Sequence, residues 1–134
     1  MDCLFCKISK KQIPAAIIYE DNRTQAFLDI EPRAPGHVLV IPKVHAETIG
    51  DLPDKEIGPL FTAVKNVVDL VVHGLGADGA TIGANQGKAS GQVVDHLHIH
   101  IIPRFFGDGG GAIQSVVSNK PKESVEEIRK KIVE

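Results

Sequence analysis

The segment GQVVDHLHIHIIPR, residues 91–104, constrains this chain more than any other. Polar and apolar residues alternate strictly from His96 to Ile101. A period of two belongs to an extended strand, whose successive side chains point to opposite faces. The pattern therefore predicts one face of Leu97, Ile99 and Ile101 turned to a core. The other face carries His96, His98 and His100, at spacings of roughly 6.7 Å. Three of only six histidines would then stand in one row. Such a row can coordinate a metal or grip an anion, and it also admits a plainer reading as a solvent-washed face on which histidine is tolerated.

A strand with one apolar side needs neighbours and a cover. AAIIYE and TQAFLDI are β-favouring runs separated by Asp21-Asn22, which predicts a hairpin; GHVLVIP and ATIGANQG supply two more strands. Ile57, Leu60, Phe61, Val64, Val67, Val68, Val71 and Val72 recur at helical spacing, so one long amphipathic helix is expected from about Asp54 to Gly74–Gly76. Gly58-Pro59 predicts an offset or kink near its start. After the flexible GDGGG, the segment SVEEIRKKIVE places Ser124 and Glu127 at capping-box spacing and Val125, Ile128 and Ile132 on one face, predicting a terminal helix. The expected class is α+β, a mostly antiparallel sheet of about five strands with one long helix and a C-terminal helix. With 134 residues, one domain over 1–134 is expected, its core about 3–104 and its C-terminal loop and helix 105–134.

Composition narrows the functions. The chain is 43% apolar and 24% charged, proportions of an ordinary globular protein rather than a disordered one. A net charge of −2, with its basic residues scattered, offers no coherent face to nucleic acid. No apolar run reaches the roughly 20 residues needed to span a bilayer. MDCLFCKISKK has an acid and two cysteines where a signal peptide needs basic then apolar residues, so a cytoplasmic protein is expected. Only Cys3 and Cys6 are present, which excludes a disulfide framework. The pair supplies half of a tetrahedral zinc site, which competes with free thiols and with a redox dithiol lacking thioredoxin-like βαβ context.

For the histidine row, two chemistries compete. A three-histidine catalytic metal site would need its ligands to converge with water in the remaining position. Nucleophilic catalysis would need a neutral imidazole to attack phosphorus or an acyl carbon while a neighbour steadies developing charge. HLHIHII, His96 to Ile102, resembles at every position the signature of the histidine triad (HIT) family, His-φ-His-φ-His-φ-φ with φ apolar. FCKI, IPAAIIYED, AFLDIEPRAPGHVLVIPKVH and NQGKASGQVV are similar to that family's segments in their usual order, over most of residues 3–104.

The resemblance implies a homodimer with its sheet continued across the interface, and a nucleotide hydrolase or transferase passing a nucleoside monophosphate through a covalent histidine. Purine nucleoside phosphoramidates, cleaved at the P–N bond, are the leading substrates. Dinucleoside polyphosphates, or non-catalytic nucleotide sensing, are the alternatives, and a three-histidine metallohydrolase ranks last. By the same resemblance His98 is the nucleophile, its other ring nitrogen held by a backbone carbonyl. His100 contacts the α-phosphate, and His37 matches an additional active-site histidine. Asp29 accepts the ribose hydroxyls beside a base pocket of Phe5, Phe27, Leu28 and Ile30. In the loop, Gly87 and Gly91 permit close backbone approach to phosphate, and Asn85 and Gln92 contribute side-chain contacts. Val93 stands where several relatives carry Ser or Thr, which removes a hydroxyl donor. Joining Cys3 and Cys6 with His45 and His96 implies a closed, structural zinc. His73, beside a helix C-terminus, fits a surface role.

Overall fold

A computed structural model describes residues 2–134. One five-stranded antiparallel sheet, in the order β1-β2-β3-β5-β4, organises the chain. Its strands are β1 (Ile17–Glu20), β2 (Thr24–Leu28), β3 (Val38–Pro42), β4 (Gly79–Gly83) and β5 (Ile99–Arg104). The helices are α1 (Leu4–Ser9), α2 (Asp54–Leu75) and α3 (Val125–Val133). The central strand β3 is buried along its whole length because both faces of the sheet are covered. On one face, Ala26, Val38, Val40, Ile99 and Ile101 pack against Leu60, Ala63, Val64 and Val67 of α2. On the other, Phe27, Leu39 and Ile41 meet Cys3, Phe5 and Ile8 of the N-terminal segment. Each fully buried branched side chain contributes about 1.5–3 kcal/mol.

The expected α2 is present, capped at Gly76 in the left-handed region. It runs as one continuous helix through Pro59, so Gly58-Pro59, where an offset or kink was expected, does not interrupt it. The proline lies in the second turn, where one N–H toward Lys55 is the bond forgone. Glu56 in the first turn is buried, and Arg23 from the β1–β2 hairpin pairs with it.

Three further features depart from expectation. The sheet pairing of the triad strand starts at Ile99, because the chain bends at Asp95–His96 and the Leu97 N–H donates to the Ala46 carbonyl. α1 was not signalled by periodicity; Cys3 caps it, its sulfur accepting the Cys6 N–H at 3.4 Å. α3 forms with the expected Ser124–Glu127 capping box, yet Val125 and Ile132 remain exposed and the helix adds nothing to the core. Among the described residues, no helix is long and apolar enough to cross a membrane.

Candidate functional site

The N-terminal face of the sheet carries two clusters of histidines. In the first, one ligand atom each from Cys3, Cys6, His45 and His96 lies within 4.8 Å of the others. Cys3 Sγ is 3.4 Å from His96 Nδ1, and Cys6 Sγ is 3.3 Å from His45 Nδ1 and 3.5 Å from His96 Nδ1. With zinc bonds of about 2.0–2.3 Å, the edges of a tetrahedral ligand shell measure about 3.3–3.8 Å. Those three contacts fall at or near the edge lengths of such a shell. His96 Nε2 lies 2.8 Å from the Pro42 carbonyl, which can only accept, so Nε2 carries the proton and the Nδ1 lone pair faces the sulfurs. Burial, followed by the neighbouring Cys3, pushes the Cys6 thiol up, so thiolate formation here calls for a cation. The set fits a metal ion, and four protein donors are the number that fills a tetrahedral shell.

The second cluster is Asp29, His37, His98 and His100. Its placement begins in the turn Ala34-Pro35-Gly36-His37, where the His37 N–H donates to the Ala34 carbonyl and Gly36 has φ 82°. Proline followed by glycine at those two positions is the type II signature, and a side chain at Gly36 would carry strain. This turn delivers buried His37 to the start of β3, and the Asp29 N–H donates to its carbonyl at 2.9 Å. Asp29 Oδ1 accepts the Glu31 N–H, while Oδ2 stands 3.6 Å from His37 Nε2.

Protons in this cluster follow from the partners. The Arg33 amide donates to His37 Nδ1 at 3.1 Å, so His37 carries its proton on Nε2. That atom lies 2.9 Å from His100 Nδ1, which must accept, leaving neutral His100 with an outward Nε2–H. His98 Nδ1 lies 2.7 Å from the His96 carbonyl and therefore donates to it, leaving the Nε2 lone pair free. Burial, then His98 and His37, lowers the His100 pKa to about 4, and burial also lowers that of His37. Both are neutral at pH 7. The arrangement therefore offers one nucleophilic nitrogen beside one neutral N–H donor, with His98 and His100 ring centroids 5.0 Å apart.

The remaining expected residues are placed unevenly. Phe5 and Phe27 are buried, edge to face with centroids 5.3 Å apart, and Phe5 also packs edge-on against His98 at 5.1 Å. They form a floor rather than open walls. Leu28 is exposed at the end of β2, and Ile30 stands 93% exposed beside Asp29. Asn85 borders a cavity of about 340 Å³ with Phe61, Ile82 and Leu97, on the α2 side. Gln92 differs from expectation: its Nε2 donates to the Glu47 and Val94 carbonyls and its Oε1 accepts the Gly87 N–H. Both amide donors brace the loop, so neither is free for phosphate in this conformation. Gly87 and Gly91 have positive φ, 82° and 97°, and Val93 is 89% exposed. Sequence reasoning missed Arg33, whose contribution to this cluster is a backbone amide that carries no side-chain signature.

The HIT domain family profile matches residues 10–107. An uncharacterized HIT-like protein of Methanocaldococcus jannaschii is 50% identical over 107 residues, 80% of this chain and 82% of that protein. An adenosine 5′-monophosphoramidase of Schizosaccharomyces pombe is 40% identical over 104 residues, 78% of this chain and 75% of that protein. Among solved structures, a zinc-bound histidine triad family protein of Mycobacterium smegmatis superposes with a TM-score of 0.76 at 35% identity, covering 96% of this chain and 89% of that one.

Proposed function

The chain belongs to the HIT domain family, and from that premise we propose that it hydrolyses the P–N bond of purine nucleoside phosphoramidates through a nucleotidyl-His98 intermediate. The observation that carries this reading is the hydrogen bond from His98 Nδ1 to the His96 carbonyl, which holds the Nε2 lone pair ready for phosphorus. The phosphoramidase named among its relatives supports the substrate class.

In the proposed cycle, Asp29 accepts the ribose hydroxyls above the Phe5–Phe27 floor, with Leu28 and Ile30 against the base. His98 Nε2 forms a bond to phosphorus as the P–N bond breaks. The departing nitrogen takes that electron pair and a solvent proton. His100 Nε2–H, oriented through His37, donates to a phosphoryl oxygen as charge shifts. In the loop braced by Gln92, the Gly87, Ser90 and Gly91 amides already donate within the loop, so those of Lys88 and Ala89 are the ones proposed to meet the same oxygens, with Asn85 at the loop's start. Water then attacks phosphorus, the imidazole leaves with its electron pair, and the proton returns to solvent.

Cys3, Cys6, His45 and His96 are proposed to hold a structural zinc, which ties the N-terminus to the triad strand and supplies no chemical step. A reducing, cytoplasmic setting suits these thiols. Residues 1–134 are proposed to act as one HIT-like domain in a homodimer. Edge strand β4, with Ile82, Phe61, Ile57 and Ile49 exposed beside it, is where the sheet would continue across the interface. Quenching a fast turnover in alkali should preserve a nucleotidylated protein, its label mapping to His98 by mass spectrometry. A chiral phosphorothioate substrate should give net retention; net inversion would mean direct attack by water and would end the covalent reading.

A further inference from the structure

Besides the four donors of the first cluster, one other set converges among the described residues. Asp29, His37 and His100 each bring one ligand atom within 4.8 Å of the others. His37 Nε2 lies 2.9 Å from His100 Nδ1 and 3.6 Å from Asp29 Oδ2. With bonds of about 2.0–2.2 Å, neighbouring donors lie about 2.9–3.1 Å apart in an octahedral shell and about 3.3–3.6 Å in a tetrahedral one. Both separations fall within that span. Two imidazoles and one carboxylate on one side of an ion make the facial arrangement that first-row divalent metals accept, with the opposite positions left open. Asp29 and His100 are only half-buried, so water can complete the shell.

At rest a proton holds this place. His37 Nε2–H points at His100 Nδ1 with Asp29 Oδ2 beside it, so one positive hydrogen already sits among three electron-rich atoms. A divalent ion that replaces it needs the His37 proton to move to Nδ1, where the Arg33 amide now donates at 3.1 Å. That amide must then turn to water, which it can do because Arg33 is exposed. The other two donors need no change. His100 Nδ1 is a lone pair on a neutral ring, and Asp29 Oδ2 is the oxygen left over when Oδ1 accepts the Glu31 N–H. The change of tautomer, and three donors without a thiolate in place of four with two, make this site weaker than the closed cluster.

We infer that Asp29, His37 and His100 form a second, exchangeable site for a divalent transition-metal ion, and that filling it inhibits the enzyme by occupying the groups that receive the nucleoside. The site itself stands on geometry. Its effect on turnover rests on the phosphoramidase reading above, in which Asp29 accepts the ribose hydroxyls. The ion ties up that carboxylate and ends the hydrogen bond from His37 to His100, so it competes with the nucleoside and takes no part in the reaction.

Cobalt(II) is the probe, because cobalt on thiolate gives an intense charge-transfer band that cobalt on imidazole and carboxylate lacks. Zinc-loaded protein titrated with cobalt should bind one further ion per chain without that band. Asp29→Asn, which keeps the shape and removes the charge, should weaken this binding about tenfold or more. His100→Gln should abolish it. Two exchangeable imidazole N–H signals should be shifted by the paramagnetic ion, one from His100 Nε2 and one from His37 Nδ1. Adenosine, which has no phosphate of its own to bind cobalt, should raise the apparent Kd. Cobalt in turn should raise KM for adenosine phosphoramidate with little change in kcat. His73, exposed near the end of α2, is the control, and His73→Ala should leave cobalt binding unchanged. No second ion in the wild type, or binding lost in His73→Ala and kept in His100→Gln, would overturn the site. A second ion held equally well under saturating adenosine would keep the metal site and take the ribose from Asp29. Failure of the wild type to turn over any phosphoramidate would end the functional reading and leave the cobalt result standing.

Discussion

Two histidine clusters stand side by side in this molecule, built with the same device and turned to opposite ends. His96 anchors Nε2 on the Pro42 carbonyl and aims Nδ1 inward at two sulfurs. His98 anchors Nδ1 on the carbonyl of His96 itself and leaves Nε2 free. In both, a backbone acceptor fixes the tautomer, and the choice of nitrogen decides whether the free lone pair meets a closed donor set or a reactant. The clusters are also coupled: the residue that would bind metal supplies the carbonyl that orients the nucleophile, and Phe5 packs edge-on against both rings. Identical residue type therefore says little about role, and the partner of the second ring nitrogen says most.

The comparison breaks hardest at His98. His98→Ala should lower kcat by about four orders of magnitude, close to 5.5 kcal/mol of barrier, while a nucleoside monophosphate still binds. Isothermal titration beside single-turnover kinetics separates the two effects. Near-wild-type turnover in a preparation free of contaminating enzyme would take the nucleophile's role from His98.

The closed cluster should respond in stability, not in chemistry. A metal at a free concentration about a thousand times its Kd adds about 4 kcal/mol, so stripping it, or His45→Ala, should lower Tm by about 10–20 °C. Metal analysis of freshly purified protein should find about one zinc per chain. Turnover measured below the new Tm should survive within a small factor. Prompt loss of activity at unchanged Tm would put the metal in the reaction and revive the three-histidine metallohydrolase.

Much of this contrast was legible as pattern. Alternation in HLHIHII predicted a strand with its histidines on one side, and GHVLVIP predicted the strand that His37 precedes. The 3.6 period found α2, and Ser124–Glu127 found the cap of α3. What stayed hidden was carried by main chain or by distant partners. The Arg33 amide that sets the tautomers of His37 and His100 has no residue signature, and α1 is too short to show a period. Gln92 reads as a free amide until the Glu47 and Val94 carbonyls are seen to occupy it. The Arg23–Glu56 pair joins a hairpin to a helix across 33 positions of sequence.

The open cluster should also leave a pH signature. An unfolded imidazole titrates near 6.5 and folded His100 at about 4. Between those values the unfolded chain binds the extra proton. The contribution of neutral His100 is thus fully present above about pH 6.5, erodes as pH falls, and is gone by about 4. His37, lowered in the same direction, adds to the slope. Urea titrations at pH 7.5, 5.5 and 4.5 should show His100→Gln losing less stability than wild type over that window, the gap reaching about 2 kcal/mol after allowance for partial exposure. Acid release of metal affects both proteins alike and cancels in the difference. Parallel pH profiles would mean that folding leaves the His100 pKa unshifted, so that its imidazole takes up a proton near pH 6.5 instead of staying neutral down to about 4.

The smallest effect tests a position that belongs to neither cluster by contact. Val93 is 89% exposed in the loop after Gly91 and Gln92, so replacing it with serine removes no packing, and stability should stay within about 0.5 kcal/mol. On the proposed mechanism a hydroxyl there would supply one donor to the leaving group, worth about 1 kcal/mol when it meets a departing nitrogen. Val93→Ser should therefore raise kcat/KM about fivefold for amines of high pKa, whose departure needs the most help, and barely at all for good leaving groups. A series of aryl and alkyl phosphoramidates reads this directly, as a shallower dependence of rate on leaving-group pKa in the variant. If every substrate accelerates equally, the hydroxyl acts on the phosphoryl oxygens that all of them share, and Val93 does not face the leaving group.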